Sequence, residues 1–509
     1  MIGVQPRPVK PLTMKTPSPS ADYPRLTQSP GRITKAALDQ CDHAVIVLPA
    51  RPTAQHWRAV PGARQLQAAV RRAGKGAVVG GRLANKRGTG LSVGRLPAGE
   101  TGMFELLGFA GQLVAAALKD RPRKLAITMP GLPADRLQPM AEALLLAVHA
   151  HAFRMPRTKK SAKQRAGLSQ LRLVGLPEPL DLAATEIAAR AQNLARWLTA
   201  LAPNQLDANA YRKLATDMAK KNGWKARFLG ENQLAKLGAG AFLAVCQGNA
   251  TRDAGILHLR YEPKKATREK SLALVGKGIL FDTGGNNLKP HKSMLDMHED
   301  MAGSAVALAT LQALTELELQ RPVDCWLAIT ENRVSAAAYK PRDIITASNG
   351  VTIEVIHTDA EGRMVLADTL ALAGREQPGM IIDYATLTGA CVYSLTERYS
   401  GVFSNREALH PELVAAGRRS GERVWPFPMD KDYDEALKSK AADVLQCSTD
   451  GSGDHILAAR FLQRFVPDKA DWIHMDLSSA SRKAGLGQVP GGATGFGVRW
   501  TLEFLKDQE

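Results

Sequence analysis

Short apolar runs alternate with stretches of helical period along most of this chain. SLALVGKGILF (271–281), VDCWLAITENRV (323–334) and MIIDYATLTGA (380–390) are nearly continuous apolar runs, the pattern of strands buried on both faces. WKARFLG (224–230), ILHLRYEP (256–263), TIEVIH (352–357) and DWIHMDLS (471–478) read as further strands. Between them lie stretches whose apolar residues recur at helical spacing: 209–223, 231–246, the Ala-rich run to 314, RMVLADTLALAGRE (363–376), KDYDEALKSKAADVLQ (431–446), HILAARFLQRF (455–465) and GFGVRWTLEFL (495–505). This alternation predicts an α/β fold with a mostly parallel central sheet flanked by helices. A smaller α/β pattern precedes it, with strands at HAVIVLPA (43–50), AVVGGRL (77–83) and KLAITMPG (124–131), and helices at 104–120 and 140–153. A long amphipathic stretch, 180–207, joins the two and ends at Pro203-Asn204. The chain is therefore divided into a Pro/Ser/Thr-rich arm (1–32), disordered or loosely attached; a basic α/β domain (33–179); a linker helix (180–203); and a catalytic domain (204–509).

Composition narrows the setting. At 509 residues and 45% hydrophobic content, two or three domains with sizeable cores are expected. Five cysteines (Cys41, Cys246, Cys325, Cys391, Cys447) are scattered and form no CxxC pair. That opposes a disulfide framework or a cysteine zinc site and suits a reducing, cytoplasmic location. No run approaches the ~18 apolar residues of a membrane helix, and residues 1–32 lack the apolar segment of a secretory signal. The net charge is +18, concentrated in the N-terminal half. Between 51 and 100 ten lysines and arginines face one acid, Glu100, and RMPRTKKSAKQR (154–165) adds a basic run. Such a surface attracts nucleic acid. No nucleic-acid motif accompanies it, so a solvated face is the simpler reading and a nucleic-acid-binding or scaffolding role the alternative. Lys75-Gly76 and Gly80-Gly81 have the wrong pattern for a phosphate loop and read as turns.

The chemistry gathers in two stretches. In HTDAEGRM (357–364), Asp359, Glu361 and Arg363 stand at every second position, suggesting a pleat or tight loop with all three on one side. They lie where a strand gives way to a helix, the place where α/β proteins bind ligands. In LVGKGILFDTGGNNLKP (274–290), Lys277 interrupts a buried strand, which is costly unless the amine is paired, deprotonated or bound. Asp282 ends that strand, Lys289 follows the glycine loop, and Asp300 heads the Ala-rich helix. Four carboxylates with few local neutralisers call for a divalent cation, and oxygen-rich ligation suits Mg, Mn or Zn.

These motifs resemble those of the leucine aminopeptidases, hexameric cytosolic exopeptidases with two metal ions. VGKGILFDTGG, LKP, MHEDMAGSA, HTDAEGRMVLAD and DYATLTGAC carry the resemblance, and HMDLSSASR and GGATGFGVR extend it over roughly residues 185 to 509. It implies that one metal takes Asp282, Asp359 and Glu361, and the other Lys277, Asp282, Asp300 and Glu361. A water between the metals would be the nucleophile. Lys289 would stabilise the oxyanion, and Arg363 would hold a bicarbonate as general base. Met297, Thr386 and Leu387 match substrate-binding positions. The resemblance implies peptide substrates with a leucine-like preference, a homohexamer and no membrane. Zinc or manganese is expected, with magnesium or cobalt also tolerated. Where the family usually has asparagine, leucine and an apolar-plus-serine pair, this chain has His357, Met364 and Asn286-Asn287. A hydrogen-bonding role suits His357 better than metal ligation.

Overall fold

The computed structural model describes residues 23–508, apart from 32, 59, 61–62, 74–76, 100, 158–166 and 266–268. Residues 1–22 and 32 of the expected arm, the Lys75-Gly76 turn and most of the 154–165 basic run lie outside the described residues. The rest of the arm differs from expectation. Arg25–Pro30 forms strand β1, and β2 (His43–Leu48), β3 (Val79–Arg82), β4 (Gly90–Arg95), β5 (Lys124–Thr128) and β6 (Gln170–Leu176) complete a six-stranded sheet in the order β1-β6-β5-β2-β4-β3. β1 pairs in parallel with β6, so backbone pairing holds a polar segment that apolar patterning could not reveal. Gly80 and Gly81 lie within β3 rather than in a turn. HAVIVL of β2 is buried throughout because it is central and covered on both faces.

The second sheet has eight strands. β7 (Lys225–Gly230), β8 (Gly255–Tyr261), β9 (Leu272–Asp282) and β10 (Val323–Asn332) come first in the chain. A small separate sheet is begun by β11 (Ile344–Thr346) and β12 (Thr352–Glu354). β13 (Met380–Ala385), β14 (Ser400–Ser404) and β15 (Val424–Pro426) return to the large sheet, β16 (Val444–Leu445) joins the small one, and β17 (Asp471–Asp476) completes the order β15-β14-β17-β13-β9-β10-β8-β7. The four central strands β17, β13, β9 and β10 run parallel, and antiparallel pairs occur toward the edges. TIEVIH is a strand only to Glu354, and 431–446, expected to be helical, is a short 3-10 helix (Lys431–Leu437) followed by β16. The tyrosine, three lysines and polar spacing of 431–446 give a weak apolar face, and tertiary packing overrides it.

β9 lies in the middle with apolar clusters on both faces. The helix Ala302–Glu316 packs closely on it because Gly276 has no side chain: a Cβ there would meet the Ser304 Cα at 2.4 Å. The joining helix, Ala183–Thr199, is less a free linker than part of the packing. Its Arg196 is buried and donates to the carbonyls of Ala150 and Ala493, tying both halves of the chain together.

Candidate metal centre

The parallel strands deliver the candidate residues to one end of the sheet. Asp282 is the last residue of β9, and Asn332 lies opposite it as the last residue of β10. Thr386 and Leu387 follow β13, and Asp476 ends β17. Asp359 sits in the turn after β12, and Glu361 opens the helix Glu361–Gly374. Asp300 stands between a short 3-10 helix, Met297–Glu299, and the helix Ala302–Glu316. This is the carboxyl end of a parallel sheet, where strands stop and helix N-termini converge.

Asp282, Asp359 and Glu361 bring ligand-type oxygens within 4.8 Å of one another. Lys277 lies beside them, its Nζ donating to Asp300 Oδ1 at 2.8 Å and to the Thr386 carbonyl at 2.9 Å, and pairing with Glu361 Oε1 at 2.9 Å. Lys289 Nζ pairs with Asp282 Oδ2 at 2.9 Å and Asp359 Oδ1 at 2.6 Å. The expectation of few neutralisers therefore needs correcting: two lysines interleave four carboxylates, leaving an excess of negative charge. Neighbours about 23 and 84 residues apart in sequence become contacts only through the fold.

Burial and crowding set the electrostatics. Burial, reinforced by Asp282 and only partly offset by Lys277, pushes Glu361 up to about 8. Burial with Asp282 and Glu361 pushes Asp359 up to about 7, and burial raises Asp300 to about 6 against the pull of Lys277. Burial alone would lower the Lys277 amine, but the charges of Asp300, Glu361 and Asp282 outweigh it and hold it above the usual lysine range. Lys277 is thus an ammonium in the protein without metal. Asp300 Oδ2 and Glu361 Oε2 are buried with no hydrogen-bond partner among the described residues. Orphaned carboxylate oxygens are costly inside a protein, and a divalent cation is the partner that this donor set fits.

These carboxyls hold protons more tightly in the folded chain than in the unfolded one. Chelator-treated protein should therefore lose stability as pH rises from about 4 toward about 8. Thermal unfolding checks this: the midpoint should be lower at pH 8 than at pH 5, and manganese should raise it more at pH 8. A metal effect of equal size at both pH values would contradict the assignment.

The chain matches the catalytic domain of the cytosol aminopeptidase family over residues 193–502. The chain belongs to the cytosol aminopeptidase family. Probable cytosol aminopeptidases resemble it: that of Chlorobaculum tepidum is 42% identical over 62% of this chain and 62% of its own length, and that of Synechococcus sp. CC9311 is 36% identical over 78% and 80%. Among solved structures, a mutant of tomato leucine aminopeptidase superposes with a TM-score of 0.84 at 28% identity, covering 97% of this chain and 98% of that one. The bottromycin maturation enzyme BotP in complex with Mn gives 0.77 at 30% identity, over 92% and 99%. Both halves of the chain therefore have counterparts in a leucine aminopeptidase, and the family is one of metallo-exopeptidases.

Within this family framework, several residues make supporting contacts that the sequence alone does not assign. Asn332 Nδ2 donates to Asp282 Oδ1 at 2.8 Å and to the Thr358 carbonyl at 3.0 Å, fixing the acid and the neighbouring turn together. The matching ends of two buried strands could have revealed it. Asn287 exchanges hydrogen bonds with Thr358, and Asn286 donates to the Tyr339 carbonyl, so the Asn pair pins the loop that carries Lys289. His357 Nδ1 accepts from the Asp359 N–H at 3.3 Å, a hydrogen-bonding position. Thr386 Oγ1 donates to Asp300 Oδ1, and the Leu387 N–H donates to Asp476. Met297 is half-buried in the 3-10 helix beside Asp300.

Arg363 departs from the one-sided arrangement expected of HTDAEGRM. It is the third residue of the helix Glu361–Gly374, so strand-like alternation no longer applies. Its buried Nη2 donates to both carboxylate oxygens of Asp454 at 2.8 Å, and Nη1 donates to the Gln446 carbonyl. The open anion fork expected for bicarbonate is thus already engaged.

Gly362 shows how tightly the centre is built. A Cβ at this position would stand 2.6 Å from Lys277 Cε and 2.9 Å from Leu387 Cδ1. Gly362→Ala should displace the amine and reduce metal affinity at least tenfold, by analogy with the cost of disturbing groups that orient metal ligands. Calorimetric titration with manganese checks it, and unchanged affinity would contradict the packing argument.

Proposed function

We propose that this chain is a two-metal aminopeptidase that removes N-terminal residues, with a leucine-like preference, from peptides. The observation that carries the reading is the cluster of Asp282, Asp359 and Glu361 with its orphaned buried oxygens. One cation would be held by Asp282, Asp359 and Glu361, the other by Lys277, Asp282, Asp300 and Glu361. When bound, the cations supply Lewis acidity to the scissile carbonyl and the attacking water. Zinc or manganese suits the oxygen-rich set with one amine, and magnesium or cobalt is also tolerated.

The chain's own groups do the rest. A free α-amino group in its neutral form would be the group by which a substrate joins a bound cation, which would select peptide N-termini. Lys289, partly accessible, would donate to the oxyanion as the carbonyl becomes tetrahedral. Asn332 and the Gly284 N–H fix the Asp282 carboxylate from behind. The Thr386 carbonyl holds Lys277, and Met297 with Leu387 offers apolar surface for the substrate side chain. Homohexamer assembly and a cytoplasmic location belong to the same proposal, the location in keeping with the word cytosol in the relatives' names. No helix among the described residues is long and apolar enough to cross a membrane.

A panel of aminoacyl anilides tests the reading. Leucine anilide should be cleaved by manganese-loaded protein, spared after chelation, and cleaved again when metal returns. The N-acetylated anilide should resist. No release from any member of the panel by metal-loaded protein would overturn the proposal.

A further inference from the structure

We propose that Asp454 is the carboxylate that serves Arg363 in this chain: it fills the guanidinium's anion seat and takes the place of a bicarbonate from solution as proton acceptor. The inference deepens the aminopeptidase reading and rests on it.

The geometry starts with Arg363. Its side chain is buried, and a buried guanidinium needs an anion. The anion it has belongs to the chain. Both Asp454 oxygens lie 2.8 Å from Nη2, while Nη1 is spent on the Gln446 carbonyl. Only Nε lacks a partner among the described residues, and a single N–H is not the two-pronged fork that a planar oxyanion grips. A second anion at this place would also face the charge already there.

Asp454 is held where a carboxylate belongs. It opens the helix Asp454–Gln463, whose N-terminal turn favours negative charge. The approach is the STDGSGD segment (448–454), in which Ser448 Oγ accepts from the Gly451 N–H and Asp450 from the Ser452 N–H. The carboxylate is not sealed in: the side chain keeps 25% exposure, against 2% for Arg363. Each of its two oxygens accepts from the arginine, and among the described residues the side chain accepts no other hydrogen bond. Its partner Arg363 stands two residues after Glu361 on the same helix. Gln446, whose carbonyl accepts from Arg363 Nη1, donates its side-chain amide to the Ala360 carbonyl and accepts the His357 N–H, and His357 Nδ1 in turn accepts the Asp359 N–H, so hydrogen bonds run from the Asp454 partner to the acid turn.

The step balances without an added anion. The water oxygen bonds to the scissile carbonyl carbon while one water proton passes to Asp454. When the C–N bond breaks, that proton goes to the departing amine nitrogen and Asp454 is again a carboxylate. The second water proton leaves with the new carboxyl group.

The test uses the metal-loaded full chain in carbon-dioxide-depleted buffer, with sodium bicarbonate and sodium formate as probes. Wild-type protein should cleave leucine anilide at a rate indifferent to added bicarbonate, and calorimetry should find no saturable bicarbonate binding. Asp454→Ala should lose about 10²- to 10⁴-fold in kcat, the span of a positioned general base. It should gain a bicarbonate site by calorimetry and recover at least tenfold in rate with bicarbonate or formate. Asp454→Asn, nearly the same shape, should lose rate as well and resist rescue because its amide still blocks the seat. Rescue by a small anion separates a lost base from a damaged fold. The inference is overturned if wild-type protein binds bicarbonate and is accelerated by it, or if Asp454→Ala turns over at the wild-type rate without it. If no anilide is cleaved at all, the aminopeptidase reading fails, while the calorimetric comparison of the two proteins still decides who occupies the arginine.

Discussion

Asp282→Asn abolishes stable metal loading and lowers turnover by about 10³-fold or more, the rate equivalent of several kcal/mol of lost Lewis-acid stabilisation. The direction follows from which oxygen is already committed. Asp282 Oδ1 receives the Gly284 N–H and the Asn332 amide, both at 2.8 Å. In the variant the amide oxygen must keep that place, since two donors already point there. The new NH2 then replaces Oδ2, facing Lys289 and the other acids of the cluster. A donor at that point repels cations and presents no lone pair. Elemental analysis after dialysis, alongside anilide kinetics, checks the prediction. Two tightly held metals in the variant would show that Asp282 is not shared between them.

Lys289→Ala behaves in the opposite way toward metal. Removing this ammonium takes a positive charge from Asp282 and Asp359, so the cluster becomes more negative and its attraction for dications does not fall. What disappears is a donor aimed at the substrate oxygen. The loss of one oxyanion donor costs about 10²- to 10³-fold in kcat. Metal content should match wild type, and KM should change far less than kcat. Wild-type turnover would remove Lys289 from the chemistry; loss of metal would make it a structural counter-ion.

The parts of this account legible in the sequence share one property: they lie in continuous segments. The buried runs of β9, β10 and β13 announce themselves by apolar continuity, and the residues at their ends follow directly. The motif stretches supply the acids and lysines in order. What was not legible depends on register between distant segments. Asn332 meets Asp282 only because β9 and β10 pair in parallel with their ends aligned. Asp454 meets Arg363 across 91 residues through the packing of two helices. β1 is not legible because its polar sequence carries no burial pattern and its pairing partner lies about 145 residues away. The competing nucleic-acid reading drew on basic charge alone, and neither the fold nor the relatives adds to it.

Titration of metal-free protein with manganese or zinc, followed by calorimetry at pH 8, tests the central claim most directly. Wild-type protein should bind two equivalents per chain with release of protons, as the raised Glu361 and Asp359 carboxyls and the Lys277 ammonium give up theirs. Asp282→Asn should bind neither equivalent tightly. A wild-type isotherm with no saturable binding, or one indistinguishable from that variant's, would contradict it.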